Sequence, residues 1–173
     1  MRIFLYNKLY RNVYLFILLL CIFNLGMIFS VPVLSEQGRI SGFIAGLIKL
    51  FYTPLCHQIP ERSFQLGGHF LPVCSRCTGI YIGFFWGTTV FPFIKNKIDD
   101  VYPSRNVLIM ALMPMGLDVG LKWFIHIDSG LLIHSFTGFI FSAVFSFYAI
   151  PGIMELSDIL IKKGEMSYGK QTQ

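Results

Sequence analysis

Charge is what this sequence lacks most. Only 13% of its residues are Asp, Glu, Lys or Arg, while 54% are apolar; a soluble domain carries about 25% charged residues. Folded in water, such a chain would be left with apolar surface it cannot cover, so a bilayer is the expected solvent. Polar segments able to present a basic face are missing as well. The net charge of +5 and the pI of about 9.1 therefore make no nucleic-acid footprint. The positive residues instead flank apolar runs, where they act as topology signals. A length of 173 residues bounds the chain to one domain. Cysteine and histidine are scarce too, four of each, yet three of the cysteines and two of the histidines fall within positions 56–77.

What is present is apolar and periodic. Arg2, Lys8 and Arg11 precede an apolar run over 13–34, and about 20 residues suffice to cross the hydrocarbon core. The run is long for a signal peptide and no small-x-small pattern follows Ser30, so a retained helix is expected. After a polar turn at 35–39, Ile40, Phe43, Ile44, Leu47, Ile48 and Phe51 mark one face of a helix over 40–52. It is too short to span and is expected at the interface or half-buried against the bundle. Thr53-Pro54 should end it, because the residue before proline is pushed out of the helical region. Further spanning helices are expected over 73–94, 107–127 and 131–154. Gly79, Gly83 and Gly87 in the first of these, and Gly138, Ser142 and Ser146 in the last, form small-residue faces that let membrane helices approach closely. The fold class is thus all-α: an integral membrane bundle of four transmembrane helices plus one short amphipathic, interfacial helix, a single domain over 1–160 with a polar cytoplasmic tail at 161–173.

Basic residues set the orientation. Arg2, Lys8 and Arg11 precede the first spanning helix, Lys95, Lys97 and Arg105 lie between the second and third, and Lys162, Lys163 and Lys170 follow the fourth. The short turn at 128–130 has none. The positive-inside rule then puts both termini in the cytoplasm and the Cys/His loop on the outer face, against the minority of Arg39, Lys49, Arg62 and Arg76.

Cys74-x-x-Cys77 at the start of a helix places two sulfurs one turn apart on the same face. With Cys56 and His57 they form a Cys₃His set that suits zinc, or iron as another thiophilic ion. Pro54 and Pro60 would stiffen the loop presenting the first pair, and His69 is a competing fourth donor. Two other chemistries fit the same residues. In an oxidising compartment cysteines pair, although three outer cysteines leave one over and Cys21 lies deep in the first helix as a small apolar packer. Alternatively the thiols are redox-active: a helix N-terminus lowers a thiol pKa, and Arg76 between the two cysteines would add to that. An outward C-x-x-C on four membrane helices is the layout of the quinone-linked disulfide-forming oxidoreductases, with a lipid quinone as partner.

A second constellation is Asp118 and Lys122, four apart inside an otherwise apolar span. Ionisable residues there face the bundle interior and are functional candidates; an internal ion pair fixing helix orientation is the plainer role. Pro114, one turn earlier, removes a backbone bond and would kink the helix. His126 and His134 should lie at the same outer level as the Cys/His loop, as further donors or proton carriers. Arg62 is placed to bind an anionic headgroup or substrate, or to brace the loop through Glu61. Asp118 and Arg62 are therefore the candidate catalytic residues, and Cys56, His57, Cys74 and Cys77 the candidate metal ligands.

The string Cys56-His57-Gln58-Ile59-Pro60-Glu61-Arg62-Ser63-Phe64, followed by Cys74-Ser75-Arg76-Cys77-Thr78-Gly79 and Tyr81-x-Gly83, resembles a prokaryotic family of small membrane proteins of unknown function. That family is marked by a Cys-His-Gln-x-Pro-x-Arg-Ser-Phe box and a Cys-x-Arg-Cys-Thr-Gly box, and the likeness covers 51–138. Its pattern continues with an Asp-Gly, met here by Asp118 and Val119, and an Arg-x-x-Thr-Gly, met by Thr137-Gly138 with His134 in the arginine's place. The resemblance implies a multi-helix protein of a prokaryotic inner or plasma membrane and assigns no activity. The expectation is a metal site near the outer surface, catalytic or structural. Thiol–disulfide exchange with a quinone is the alternative, and a transport or assembly component is the third reading. The expected partners are the bilayer and a lipid or small-molecule substrate, with no nucleic acid.

Overall fold

A computed structural model describes residues 8–95, 104–125 and 130–171, without the side chains of 95, 122, 125 and 161–171. Helices α1 (Lys8–Glu36) and α2 (Arg39–Tyr52) are followed by a 3₁₀ turn (Pro60–Arg62) and a small hairpin, β1 (Gln65–Leu66) with β2 (His69–Phe70). Three more helices complete the chain: α3 (Ser75–Lys95), α4 (Arg105–Ile125) and α5 (Leu131–Gln171). Leu, Ile and Phe side chains such as Phe16, Phe23 and Phe136 stand on the outside of the helices, the arrangement expected where lipid replaces water. Among the described residues three helices, Lys8–Glu36, Ser75–Ile94 and Leu131–Leu160, are long and apolar enough to cross a membrane. Four were expected, and the remaining expected position is occupied by α4, 21 residues long.

The central seam joins α3 to α5. A Cβ on Gly79 would run into the backbone of Ser135, one on Gly83 into that of Phe139, and one on Gly87 into that of Ala143. The two small-residue faces anticipated on these helices therefore meet each other. Ser142 and Ser146 are buried in the seam, their hydroxyls donating to Phe139 O at 3.2 Å and Ala143 O at 2.8 Å. Hydrogen-bonding back to its own helix leaves each serine without an unmet polar group in a dry interface.

Two apolar clusters sit towards opposite ends of the bundle. One packs Phe91, Ile150 and Met154 against Val13, Tyr14 and Phe147, with the Tyr14 hydroxyl donating to Thr88 O at 3.1 Å. The other packs Ile28, Tyr52, Cys56, Leu71 and Val73 against Ile48, Phe64 and Tyr81. The motif loop belongs to this second end.

Several boundaries differ from expectation for local reasons. The last helix does not stop near Met154 but continues to Gln171, so residues 161–171, expected as a polar tail beyond the last helix, are helical. Met154 is buried against Phe91 and Ile150, and no helix breaker follows it directly. The Glu155-Leu156 and Ile159-Leu160 that follow are residues a helix accepts readily. Pro151 lies inside α5 without ending it, as neighbouring helices permit in membranes. Pro54 does end α2, yet not by displacing Thr53, which keeps helical angles and donates its N–H to Leu50 O at 3.2 Å. The missing N–H of proline is what breaks the ladder.

Candidate thiol site and the buried ion cluster

Cys56 lies four residues beyond the end of α2 and is fixed from behind. Its N–H donates to Tyr52 O at 2.9 Å, and Tyr52 is wholly buried with its hydroxyl donating to Asn24 Oδ1 at 3.1 Å. The chain then turns sharply at Gln58, which takes a left-handed φ of 50°, uncommon for a residue with a Cβ. The Gln58 carboxamide donates to Lys49 O at 2.6 Å and holds the turn. Just ahead of this turn Cys56 is buried and His57 is exposed.

The hairpin returns the chain. Gly67 and Gly68 both have positive φ, 55° and 82°, the requirement of a type I′ turn. Gln65 pairs with Phe70 and Leu66 with His69. Buried Leu71, Pro72 and Val73 then lead to Cys74, just ahead of α3, and Cys77 stands in its first turn. The helix begins at Ser75 rather than at Val73. Thr78 donates both its N–H and its hydroxyl to Cys74 O, at 2.9 and 3.1 Å, which anchors that turn.

The sulfurs of Cys56, Cys74 and Cys77 consequently lie within 4.8 Å of one another, and all are free thiols. The Cys74 N–H donates to Cys56 Sγ at 3.2 Å. Hydrogen bonds from the Cys74 and Cys77 thiols, with that N–H behind them, hold the Cys56 thiol well below its ordinary range. Three sulfurs around one tetrahedral zinc stand about 3.8 Å apart, given Zn–S bonds near 2.3 Å. At most about 1 Å of closure separates this trio from that spacing. The same proximity also permits a disulfide between any two of them.

His57 is exposed and is not among the donors that converge. His69 is half-buried on β2, Arg62 half-buried at the end of the 3₁₀ turn, and neither belongs to the sulfur cluster. His126 lies outside the described residues. Cys21 stays half-buried in α1.

Asp118 meets partners beyond its own helix, while the Lys122 side chain expected to pair with it lies outside the described residues. The Asp118 Oδ2 accepts from Arg76 Nη2 at 2.5 Å and lies 2.7 Å from His134 Nδ1, with 3.1 Å between the two nitrogens. Asp118 and His134 are both buried. The cluster joins α3, α4 and α5. Arg76, expected to support the thiolates, directs its guanidinium to this carboxylate. The cluster was missed because the pair one turn apart, Asp118 and Lys122, was the only partnership that spacing along one helix suggests. The available signal was that Arg76, Asp118 and His134 are each ionisable residues in apolar surroundings and must find partners.

An all-α membrane protein with a thiol trio and a buried ion cluster on its central helices is the class that these observations define. The chain belongs to the family described as "Predicted membrane protein (DUF2085)", whose family model matches residues 56–148. The matched stretch opens on Cys56 and contains every member of both clusters. It is 34% identical over 154 residues to the uncharacterized protein MJ1492 of Methanocaldococcus jannaschii, covering 84% of this chain and 96% of that one. An uncharacterized protein of Methanothermobacter thermautotrophicus is 64% identical over 59 residues, covering 34% of this chain and 50% of the other. No solved structure matches.

Proposed function

We propose that this is a membrane metal protein whose ion, a thiophilic divalent metal such as zinc, or else iron, is held by Cys56, Cys74 and Cys77. The observation that carries this reading is the convergence of three free thiols, from two separate stretches, within 4.8 Å. A disulfide needs two sulfurs and leaves the third without purpose, whereas three thiolates supply most of a tetrahedral shell. With His57 turned outward, the fourth position is left to water or to a substrate donor, the arrangement of a catalytic rather than a closed structural site.

In this reading α4 is a fourth span. Its 21 residues extend about 31 Å, which matches the hydrocarbon thickness. Both termini are cytoplasmic, α2 lies at the outer interface and the thiols open outward, as the distribution of basic residues implies. A lipid headgroup or a small molecule of the outer face is then the ligand for the open position.

Elemental analysis of the detergent-purified protein, with a free-thiol count on the same sample, tests the proposal. The expected result is about one equivalent of zinc or iron, lost in Cys77→Ser. No metal together with one oxidised cysteine pair would contradict it and favour quinone-linked thiol–disulfide exchange.

A further inference from the structure

We infer that Arg76, Asp118 and His134 are positioning residues of the thiol site, fixing where the first turn of α3 presents Cys74 and Cys77 to Cys56. The inference rests on the metal reading above and adds to it the device that sets the site's geometry.

The trio of sulfurs is assembled from two independently supported pieces. Cys56 is carried by the end of α2, and its support runs through Tyr52 to Asn24 on α1. Cys74 and Cys77 are carried by the head of α3, which meets Cys56 through the 3.2 Å contact from Cys74 N–H to Cys56 Sγ and through the thiols themselves. A ligand set must be held to within about 0.5 Å to bind well. The head of α3 therefore needs an anchor of its own.

Arg76 supplies it from within the ligand motif. It stands between the two cysteines, and its guanidinium leaves the turn towards α4 and α5 to meet Asp118 Oδ2 at 2.5 Å, beside His134 Nδ1. One carboxylate oxygen, close to a nitrogen from each of two other helices, fixes a point in three dimensions. The backbone seals the same place. A Cβ on Gly138 would lie 2.6 Å from Arg76 O, and one on Gly79 would strike the Ser135 backbone, so the first turns of α3 and α5 touch with no side-chain layer between them. Glycine contact sets the separation of the two helices, while the ion cluster sets the rotation of the turn that carries the thiols. Asp118 thus acts on the metal through Arg76, as residues behind metal ligands commonly do.

The test uses the full-length protein in detergent, loaded with cobalt(II) as a spectroscopic substitute for zinc. Zinc affinity is read by chelator competition. Asp118→Asn should weaken affinity by about 10- to 100-fold and change the ligand-field bands of the cobalt form. Arg76→Lys, which keeps one charged donor, should stay closer to the parent than Arg76→Gln, and this pair carries the test if Asp118→Asn does not fold. Gly83→Ala is the control for plain destabilisation: it should lower the unfolding temperature and leave the cobalt spectrum unchanged. Unchanged affinity and spectrum in Asp118→Asn, Arg76→Lys and Arg76→Gln, with a metal-binding parent, would overturn this inference alone. A parent that binds neither metal would overturn the metal reading and this inference with it.

Discussion

At the scale of single residues, the turn after α2 separates two neighbours that the sequence presents as a pair. Cys56 is buried among Tyr52, Leu71 and Val73, while His57, next to it in the chain and just before the left-handed Gln58, is exposed. His57→Ala should therefore retain bound metal, whereas Cys56→Ser should lose it; metal content of the two purified variants checks this, and equal loss in both would return His57 to the ligand set. The thiols were legible because a C-x-x-C at a helix start and a proline-flanked cysteine upstream are local patterns. The side on which His57 falls was not, since it depends on how the loop after α2 packs against the rest of the bundle. Nor was the Asp118 setting: its partners Arg76 and His134 lie 42 and 16 residues away, and sequence spacing along one helix cannot reach them.

At the scale of elements, the glycines divide into two kinds. Gly83 is pressed against the α5 backbone at Phe139, while Gly42 on α2 has open space where a Cβ would go. Gly83→Ala should cost about 1–3 kcal/mol through overpacking. Gly42→Ala should gain about 0.4–1 kcal/mol by stiffening the unfolded chain. Unfolding of both variants in the same detergent measures the contrast, and similar values would remove the case for a tight seam. The small-residue faces of α3 and α5 could be read in advance because their four-residue period is set by helix geometry alone. The Gly67-Gly68 hairpin has an equally local signal in its two adjacent glycines, within the Cys/His loop. Where α5 ends was harder, because no proline or glycine stop follows Met154 directly and the helix runs on to Gln171.

At the scale of the whole molecule, the thiols and the polar cluster belong to one construction. Arg76 sits between two of the thiols in sequence and is bonded to α4 and α5 in space. The end of the bundle formed by Ile28, Tyr52 and Val73 closes around Cys56 from the other side. Membrane residence was legible from composition, since 13% charge cannot cover a water-soluble fold, and all-α architecture from the length and period of the apolar runs. The assembly of one site from α2, α3, α4 and α5 was not, because it depends on which helices touch. The most direct measurement of the central claim is X-ray absorption at the metal edge of the purified protein. The account predicts three sulfur neighbours at about 2.3 Å and one lighter donor near 2.0 Å. A shell of nitrogen and oxygen donors alone would contradict it.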